Sequence, residues 1–430
     1  MSEDAWTDEP KPNSQVEGSI PGRFGLSRNL WRLAAVIAIS QFSVSLWKWE
    51  FGIFMEDTLL FEPWQLGMVF SVATLTGLLA SGFSGYVADF IGRRWTIALG
   101  FIPVTIGLLA LSYFPIWPIV PIQWGLIWFG MSTARLMARA IPADEIAAGD
   151  GSNPARRLMM VMMPLWFVDA FGPLTGTFLM SRGFVSGDLH RIAAVASIVT
   201  FFAAILLIKE SLGPEVIKKA RAGPKISFRS LGRDFWLLAL GMLGMYFCWT
   251  STTPYLGNLS VGWWNVDAVT YGLSWSLFSL TAALVMYPAG TFADRNLKRA
   301  LITGVIGNVI IMVWFSLGTG ASMMYLINFF WAIPFVLWIG SERSIIILSV
   351  SEETKGRALG TYDLVMGVLA MSGQIFGALL WELSGSLRVV YFTAGVGMFA
   401  CAVFLIIILR RVHPPENNRA DLPSKESIDI

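Results

Sequence analysis

The sequence predicts an all-α integral membrane protein, with twelve transmembrane helices forming two six-helix, pseudo-symmetric halves around a central cavity. Three observations predict it. Hydrophobic residues make up 55% of the 430-residue chain and charged residues only 14%, with a mean hydropathy of +0.62, outside the range of soluble domains. Apolar runs recur at lengths near the roughly 20 residues that a hydrocarbon layer of about 30 Å demands. The second half of the chain also repeats the first: Gly67, Ser71, Leu75, Thr76, Gly85, Ala88, Asp89 and Arg94 fall on Gly272, Ser276, Leu280, Thr281, Gly290, Ala293, Asp294 and Arg299.

The polar segment Met1 to Asn29, rich in Pro and Gly, reads as a disordered tail. No signal peptide precedes the first span, so the first helix itself must target the membrane. Six spans follow: Leu33 to Met55, Trp64 to Ala88, Trp95 to Tyr113, Ile119 to Met137, Leu158 to Met180 and Ile192 to Ile208. A basic linker, 209–233, leads to six more: Phe235 to Leu256, Val269 to Phe292, Ala300 to Leu317, Met323 to Val350, Ala358 to Trp381 and Val389 to Leu409. Residues 412–430 read as a second tail, leaving bundles at 30–208 and 234–411. Continuously apolar runs favour helices over barrel strands, which would alternate over about 10 residues.

Basic residues set the orientation, since cytoplasmic loops hold an excess of Lys and Arg. One side collects Arg93, Arg94, Arg156, Arg157, Lys218, Lys219, Lys298, Arg299, Lys355 and Arg357 among others, whereas the other has only Arg182, Arg191 and Arg388. Both termini and the linker are therefore expected in the cytoplasm of a cell-membrane protein. A net charge of +2 gives no footprint for nucleic acid. Cys248 and Cys401 both fall inside predicted helices, and His190 and His413 are the only histidines, so no disulfide framework, metal site or cofactor is expected, and no catalytic constellation marks an enzyme. The phosphate-binding loop GxxxxGK[ST] does not occur.

Between the second and third spans stands "GYVADFIGRRWTI", Gly85 to Ile97, and its second copy is "GTFADRNLKRALI", Gly290 to Ile302. The first, with Gly85, Asp89, Gly92, Arg93 and Arg94, resembles the signature loop of the major facilitator superfamily. Phe90 replaces that family's usual basic residue, and Leu297 stands where the second copy would have its second Gly. "SEETKGRALG", Ser351 to Gly360, resembles the family's loop between helices ten and eleven. "GPLTG", Gly172 to Gly176, resembles the antiporter signature of the fifth helix without its upstream glycines, and "KWEFGIF", Lys48 to Phe54, is similar to the acid-bearing first helix of sugar and metabolite proton symporters. The resemblance covers Leu30 to Arg411 and implies secondary transport by alternating access.

Physically, Asp89 is placed to cap a neighbouring helix, and Arg93 and Arg94 to pair with acids from the fourth helix, closing a cytoplasmic gate. Gly85, Asp89, Gly92, Arg93, Arg94, Gly290, Asp294, Arg299, Arg135, Arg139, Glu342 and Asp363 form the expected gate. Ionisable residues inside spans are costly and need a reason. Glu50 and Asp169 are the candidates for carrying a coupled proton, with Lys48 as a cation able to oppose them. Gln41, Ser45 and Lys48 share one face of the first helix. With Trp249, Thr253, Tyr255, Asn328 and Trp338 they are the substrate-cavity candidates, and "WTSTTPY", Trp249 to Tyr255, adds hydroxyls and a Pro that bends the seventh helix. Two matched halves fit a transporter of a small metabolite, a sugar or organic acid, by proton symport and as a monomer. Drug or metabolite efflux by proton antiport is the alternative, and a receptor that binds without net transport is a third reading from a different class.

Overall fold

A computed structural model describes residues 28–148, 154–210, 231–350 and 355–411. The linker lies almost wholly outside the described residues, as do both tails, and so do the side chains of Asp89 and Arg139 and the burial of Gly85. Among the described residues there is no strand.

Twelve long helices account for most of the described residues. In the first half, α1 is Arg28–Lys48, prolonged after a break by Phe51–Ile53 and a π-helical turn Phe54–Thr58; α2 is Pro63–Ile91, α3 Arg93–Tyr113, α4 Ile119–Ala148, α5 Pro154–Ser181 and α6 Ser186–Leu207. In the second half, α7 is Gly232–Thr250, prolonged by Thr253–Tyr255 and Leu256–Trp264; α8 is Ala268–Arg295, α9 Leu297–Leu317, α10 Gly320–Leu348, α11 Lys355–Ser384 and α12 Leu387–Leu409. Ten of them are long and apolar enough to cross a membrane. The other two, α4 and α5, run 30 and 28 residues and carry Gln123, Arg135 and Asp169, which lower their hydropathy.

Polar residues fix where several helices begin. At the head of α2, Pro63 takes the first helical position, where no amide hydrogen is missed, and Gln65 Oε1 accepts from the Glu62 amide at 2.8 Å. At the head of α8, the Asp267 carboxylate accepts from the Thr270 amide at 2.9 Å and from its hydroxyl at 2.6 Å. The outward faces are greasy, with Leu79, Leu206, Leu284, Ile310 and Phe399 all exposed. Such a surface is stable only where lipid is the solvent.

Packing repeats with the sequence. Within the first half α1 packs on α5 and α6, α2 on α4, and α3 on α4 and α6; within the second α7 packs on α11 and α12, α8 on α10, and α9 on α10 and α12. Adding six to each helix number maps one set onto the other. Two seams join the halves, α5 against α8 and α11 against α2, and the same rule exchanges them. Small residues of α2 pack within its own half: Gly77 lies against Ser132, and Ser84 shares a 2.7 Å hydrogen bond with Thr133. Small residues at such contacts let helix backbones approach closely.

Candidate functional site

Both lead helices of the halves are broken at matching places. In α1 the Glu50 amide bonds back to the Trp47 carbonyl at 3.1 Å, a tight three-residue turn that interrupts the α-pattern. In α7 the Thr252 amide bonds to the Trp249 carbonyl at 3.3 Å, and Pro254 follows. The bend expected at "WTSTTPY" is present. Each break receives a glycine from a neighbouring helix. A Cβ on Gly176 of α5 would strike the Leu46 carbonyl oxygen, and one on Gly377 of α11 would strike the Ser251 carbonyl oxygen. One turn earlier, Gly172 rests on Ser45 and Gly373 on Phe247. Only a residue without a side chain fits those four places.

The segments beyond the breaks meet each other. Asn258 Nδ2 donates to the Gly52 carbonyl at 2.9 Å and to Glu56 Oε2 at 2.6 Å, and a Cβ on Gly257 would touch Ile53 at 3.1 Å. Trp49 packs on Tyr271 with ring centroids 6.5 Å apart. These contacts join the two halves at the end opposite Arg93, Arg94, Lys298 and Arg299. Near the basic end, a Cβ added to Gly360 of α11 would meet nothing within 4 Å.

Asp169 lies between the halves and is 4% exposed. Its Oδ1 accepts from Gln41 Nε2 at 2.5 Å; its Oδ2 accepts from Ser279 Oγ at 2.8 Å and Trp275 Nε1 at 3.2 Å. One carboxylate thus ties α1 and α5 of the first half to α8 of the second. Gln41 turns its other end to Arg135, whose guanidinium donates to Oε1 at 3.4 Å. Arg135 and Lys48 both stand over Trp128, 5.0 Å and 5.4 Å from its ring centroid. Such contacts attract a cation most strongly where water is excluded. Beside them a recess between α1, α3, α4 and α5 is lined by Leu33, Ile37, Phe101 and Leu165, with Gln41 and Arg135 at its polar edge.

The sequence places Arg135 in a gate at the inner end of the fourth helix. In the structure α4 runs on to Ala148, so Arg135 sits more than three turns inside it, beside Gln41. Ser45 is buried against Gly172. Glu50 is 5% exposed with no hydrogen-bond partner for Oε1. Asn328 is buried and donates to the Met324 carbonyl at 3.0 Å and toward Ser274 at 3.5 Å, a packing contact of α10 on α8. Tyr255 is fully buried with its hydroxyl on the Gln374 carbonyl at 2.6 Å, and Thr253 bonds within its own helix to Trp249. Trp249 and Trp338 stack edge to face at 5.4 Å, next to Phe335 and Tyr246, and both indole nitrogens are buried without a partner.

The second half holds its own charged cluster. Glu342, with no exposed surface, accepts from Tyr246 OH at 3.1 Å and from Tyr362 OH, while Arg343 forms an ion pair with Asp363 and lies 5.4 Å from the Tyr362 ring centroid. Sequence reasoning found both acids but neither tyrosine.

In the loop between α2 and α3 the side chain of Asp89 lies outside the described residues, but the start of α3 is described. The N-terminus of α3 is capped by Glu210, whose carboxylate accepts from the Arg93 amide at 3.0 Å and the Arg94 amide at 3.2 Å. Gly92 has φ of 90° and faces that carboxylate, so a side chain there is both strained and blocked. The Arg94 guanidinium turns to Trp95 at 5.5 Å. The second copy uses a local cap, Asn296 accepting from the Arg299 amide at 3.0 Å, and Arg299 is exposed.

The sequence profile of the Major Facilitator Superfamily matches residues 33–341 and 238–427. The chain belongs to the Major Facilitator Superfamily. Among curated relatives it is 24% identical to multidrug resistance protein MdtG of Escherichia coli over 369 residues, 81% of this chain and 86% of that protein. It is 28% identical to probable polyol transporter 3 of Arabidopsis thaliana over 96 residues, spanning about a fifth of that protein (19%). Of solved superfamily structures, the nucleoside transporter NupG superposes with a TM-score of 0.63 at 14% identity, over 89% of this chain and 99% of that one. The human organic anion transporter MFSD10 gives 0.66 at 14% identity, over 88% and 99%. Membership makes this a multi-pass transporter of small molecules within the bilayer, working by secondary transport, and both the fold and the family expectations hold.

Proposed function

We propose that this protein carries a small metabolite, a sugar or an organic acid, across the cell membrane by proton-coupled alternating access, as a monomer with both termini in the cytoplasm. The carrying observation is Asp169, a buried carboxylate that accepts from Gln41 of one half and from Trp275 and Ser279 of the other. When the halves separate along the α5–α8 seam, two of its three donors leave with α8. An oxygen is then open to take a proton, and closure on the same seam expels it. Buried ionisable groups in a membrane are retained where they do such work. Glu50 is the second candidate carrier, with an oxygen already without a partner. In this picture the contacts of Asn258 shut the outer side, and Glu342 and the Arg343–Asp363 pair belong to the inner gate, with Gly85, Asp89, Arg93, Gly290 and Asp294 at the loops that close it.

A second reading is efflux by proton antiport, favoured by the similarity to MdtG along four fifths of the chain, 81%. One experiment tests both. Purified protein in proteoliposomes is offered organic acids, sugars and cationic dyes under an imposed pH gradient. Accumulation of a sugar or an acid with the proton flow supports symport, and extrusion of a dye against it supports antiport. Binding without flux for every class would make the protein a receptor and overturn the proposal. Cysteines placed at Lys219 and Gly187 should label from opposite faces of the membrane; same-side labelling would refute the orientation.

A further inference from the structure

We infer that Cys248 and Cys401 form a dithiol site that takes a membrane-permeant trivalent arsenical, one arsenic bonding both sulfurs and fastening α7 to α12. The site goes beyond the transport reading above and stands or falls without it.

The chain has two cysteines, and the fold brings them together where α12 packs on α7. A Cβ on Gly244 would strike the Cys401 sulfur, and one on Gly397 would strike the Cys248 sulfur. As numbers rise along one helix they fall along the other, so the two run antiparallel here. Side chains on a helix lean toward its N-terminus. Cys248 therefore leans back toward the level of Gly244, where Cys401 sits, and Cys401 leans back toward the level of Gly397, where Cys248 sits. The two thiols meet and share a hydrogen bond. Neither is in a disulfide.

Cysteine often serves as a small apolar side chain, and reciprocal glycine seats suit that role. Packing alone does not call for sulfur, however: α1 packs on α6 as α7 does on α12, with no cysteine in either helix. What the sulfurs add is chemistry. Two soft donors held side by side suit a soft centre able to make two bonds. An arsenical R–As=O meets that need without an oxidant. Each thiol gives its proton to the oxygen, each sulfur bonds to arsenic, and water leaves, with arsenic trivalent throughout. A lone thiol makes one such bond, which water reverses; a second thiol on the neighbouring helix recaptures the arsenic before it departs. The approach is through lipid. Both cysteines are half-buried within membrane spans, and beside Cys401 on α12 Ala400 and Phe404 are exposed. An aryl group on arsenic favours that route.

The test adds phenylarsine oxide to the reduced, purified full-length protein and measures the arsenic retained per chain after gel filtration. Wild type should keep one arsenic, and 2,3-dimercaptopropanol should remove it. Cys248→Ser and Cys401→Ser should each bind about a hundredfold or more weaker. The melting temperature should rise on binding in wild type alone, because the bridge joins residues far apart in the chain. No retained arsenic, two per chain, or serine variants that bind as tightly as wild type would each overturn the site. Should either serine variant fail to fold, as its reagent-free melting temperature reports, the stoichiometry and the thermal shift of wild type decide alone. None of these readouts involves transport. A protein that binds no arsenical leaves the transport reading intact, and proteoliposomes without flux leave the dithiol site intact.

Discussion

Replacing Asp169 by Asn exchanges one acceptor oxygen for a donor at a place that receives three hydrogen bonds. If the amide oxygen takes the Oδ2 position, Ser279 at 2.8 Å and Trp275 at 3.2 Å keep their acceptor, and the new amino group faces the Gln41 amino group. Gln41 relieves that clash only by turning its amide over. It then presents a donor to Arg135, which now holds the Gln41 carbonyl oxygen at 3.4 Å. The net loss is one hydrogen bond to a charged group, about 1.5–3 kcal/mol. Gln41 and Asp169 both belong to the first half, so that loss is carried in both states of the α5–α8 seam, and the balance between them shifts only because Ser279 and Trp275 of α8 now bond to a neutral amide oxygen in place of a carboxylate. A balance between two states moves about tenfold for each 1.4 kcal/mol, so two seam bonds weakened by about 1 kcal/mol each should cost the closed-seam state about tenfold or more in population. The assay separates this shift from coupling. In proteoliposomes Asp169→Asn should abolish accumulation driven by a pH gradient, while exchange of substrate for substrate survives, because an amide imitates a permanently protonated acid. If Asp169→Asn and Glu50→Gln both still accumulate substrate under a pH gradient alone, neither acid carries the proton and the coupling site lies elsewhere.

Asn258→Ala removes hydrogen bonds of 2.9 Å and 2.6 Å across the halves and should weaken the outer seal by about 1–3 kcal/mol, so a cysteine at Ile53 should react faster with an impermeant maleimide; an unchanged rate counts against the seal. Gly176→Ala and Gly377→Ala drive a Cβ into backbone carbonyls and should each cost about 1–3 kcal/mol, lowering the melting temperature in detergent. Gly360→Ala, with open space around it, should leave stability equal or about 1 kcal/mol higher, and a Gly377→Ala protein as stable as wild type would refute the close contact. At the head of α8, hydrogen bonds from the Thr270 hydroxyl and amide hold the Asp267 carboxyl below its ordinary value of 3.8. A depressed carboxyl stabilises the fold above its unfolded value and loses that contribution as pH falls through the folded one. Asp267→Ala should therefore cost about 1 kcal/mol near neutrality, with the two melting curves converging below about pH 4.

Much of this was legible in the sequence because lipid makes the pattern coarse. Twelve apolar runs map onto twelve helices, since backbone groups in hydrocarbon must be satisfied within each span. The repeat was legible through glycines, and Gly172, Gly176, Gly373 and Gly377 proved to do the same job in both halves. What stayed hidden depends on which faces meet. Asn258 and Gly52 lie 206 positions apart, Glu210 and the Arg93 amide 117, and no local pattern links them. Glu210 is an acid at the edge of a basic linker, and its role appears only once α6 ends beside the start of α3. Arg135 was misplaced for a simpler reason: hydropathy ends the fourth span at Met137, whereas the helix continues to Ala148, about 16 Å further at 1.5 Å per residue. A helix that projects past the lipid carries polar residues that a transfer scale reads as loop.

The glycines seated on the two breaks bear on what the breaks can coordinate. A kinked helix releases carbonyl oxygens, and in a transporter such oxygens are natural ligands for an alkali cation. Here the Glu50 amide goes to the Trp47 carbonyl, and the Leu46 oxygen, so released, takes the Trp49 indole N–H at 3.1 Å with Gly176 packed against it. In α7 the Tyr255 amide goes to the Thr252 carbonyl, and the Ser251 oxygen lies under Gly377. Both oxygens are spoken for by neighbouring helices. An alkali ion would have to displace α5 or α11 to reach them, so neither break offers such an ion a ready ligand, and under the function proposed above ionic coupling falls to side-chain carboxylates, whose natural cargo is the proton.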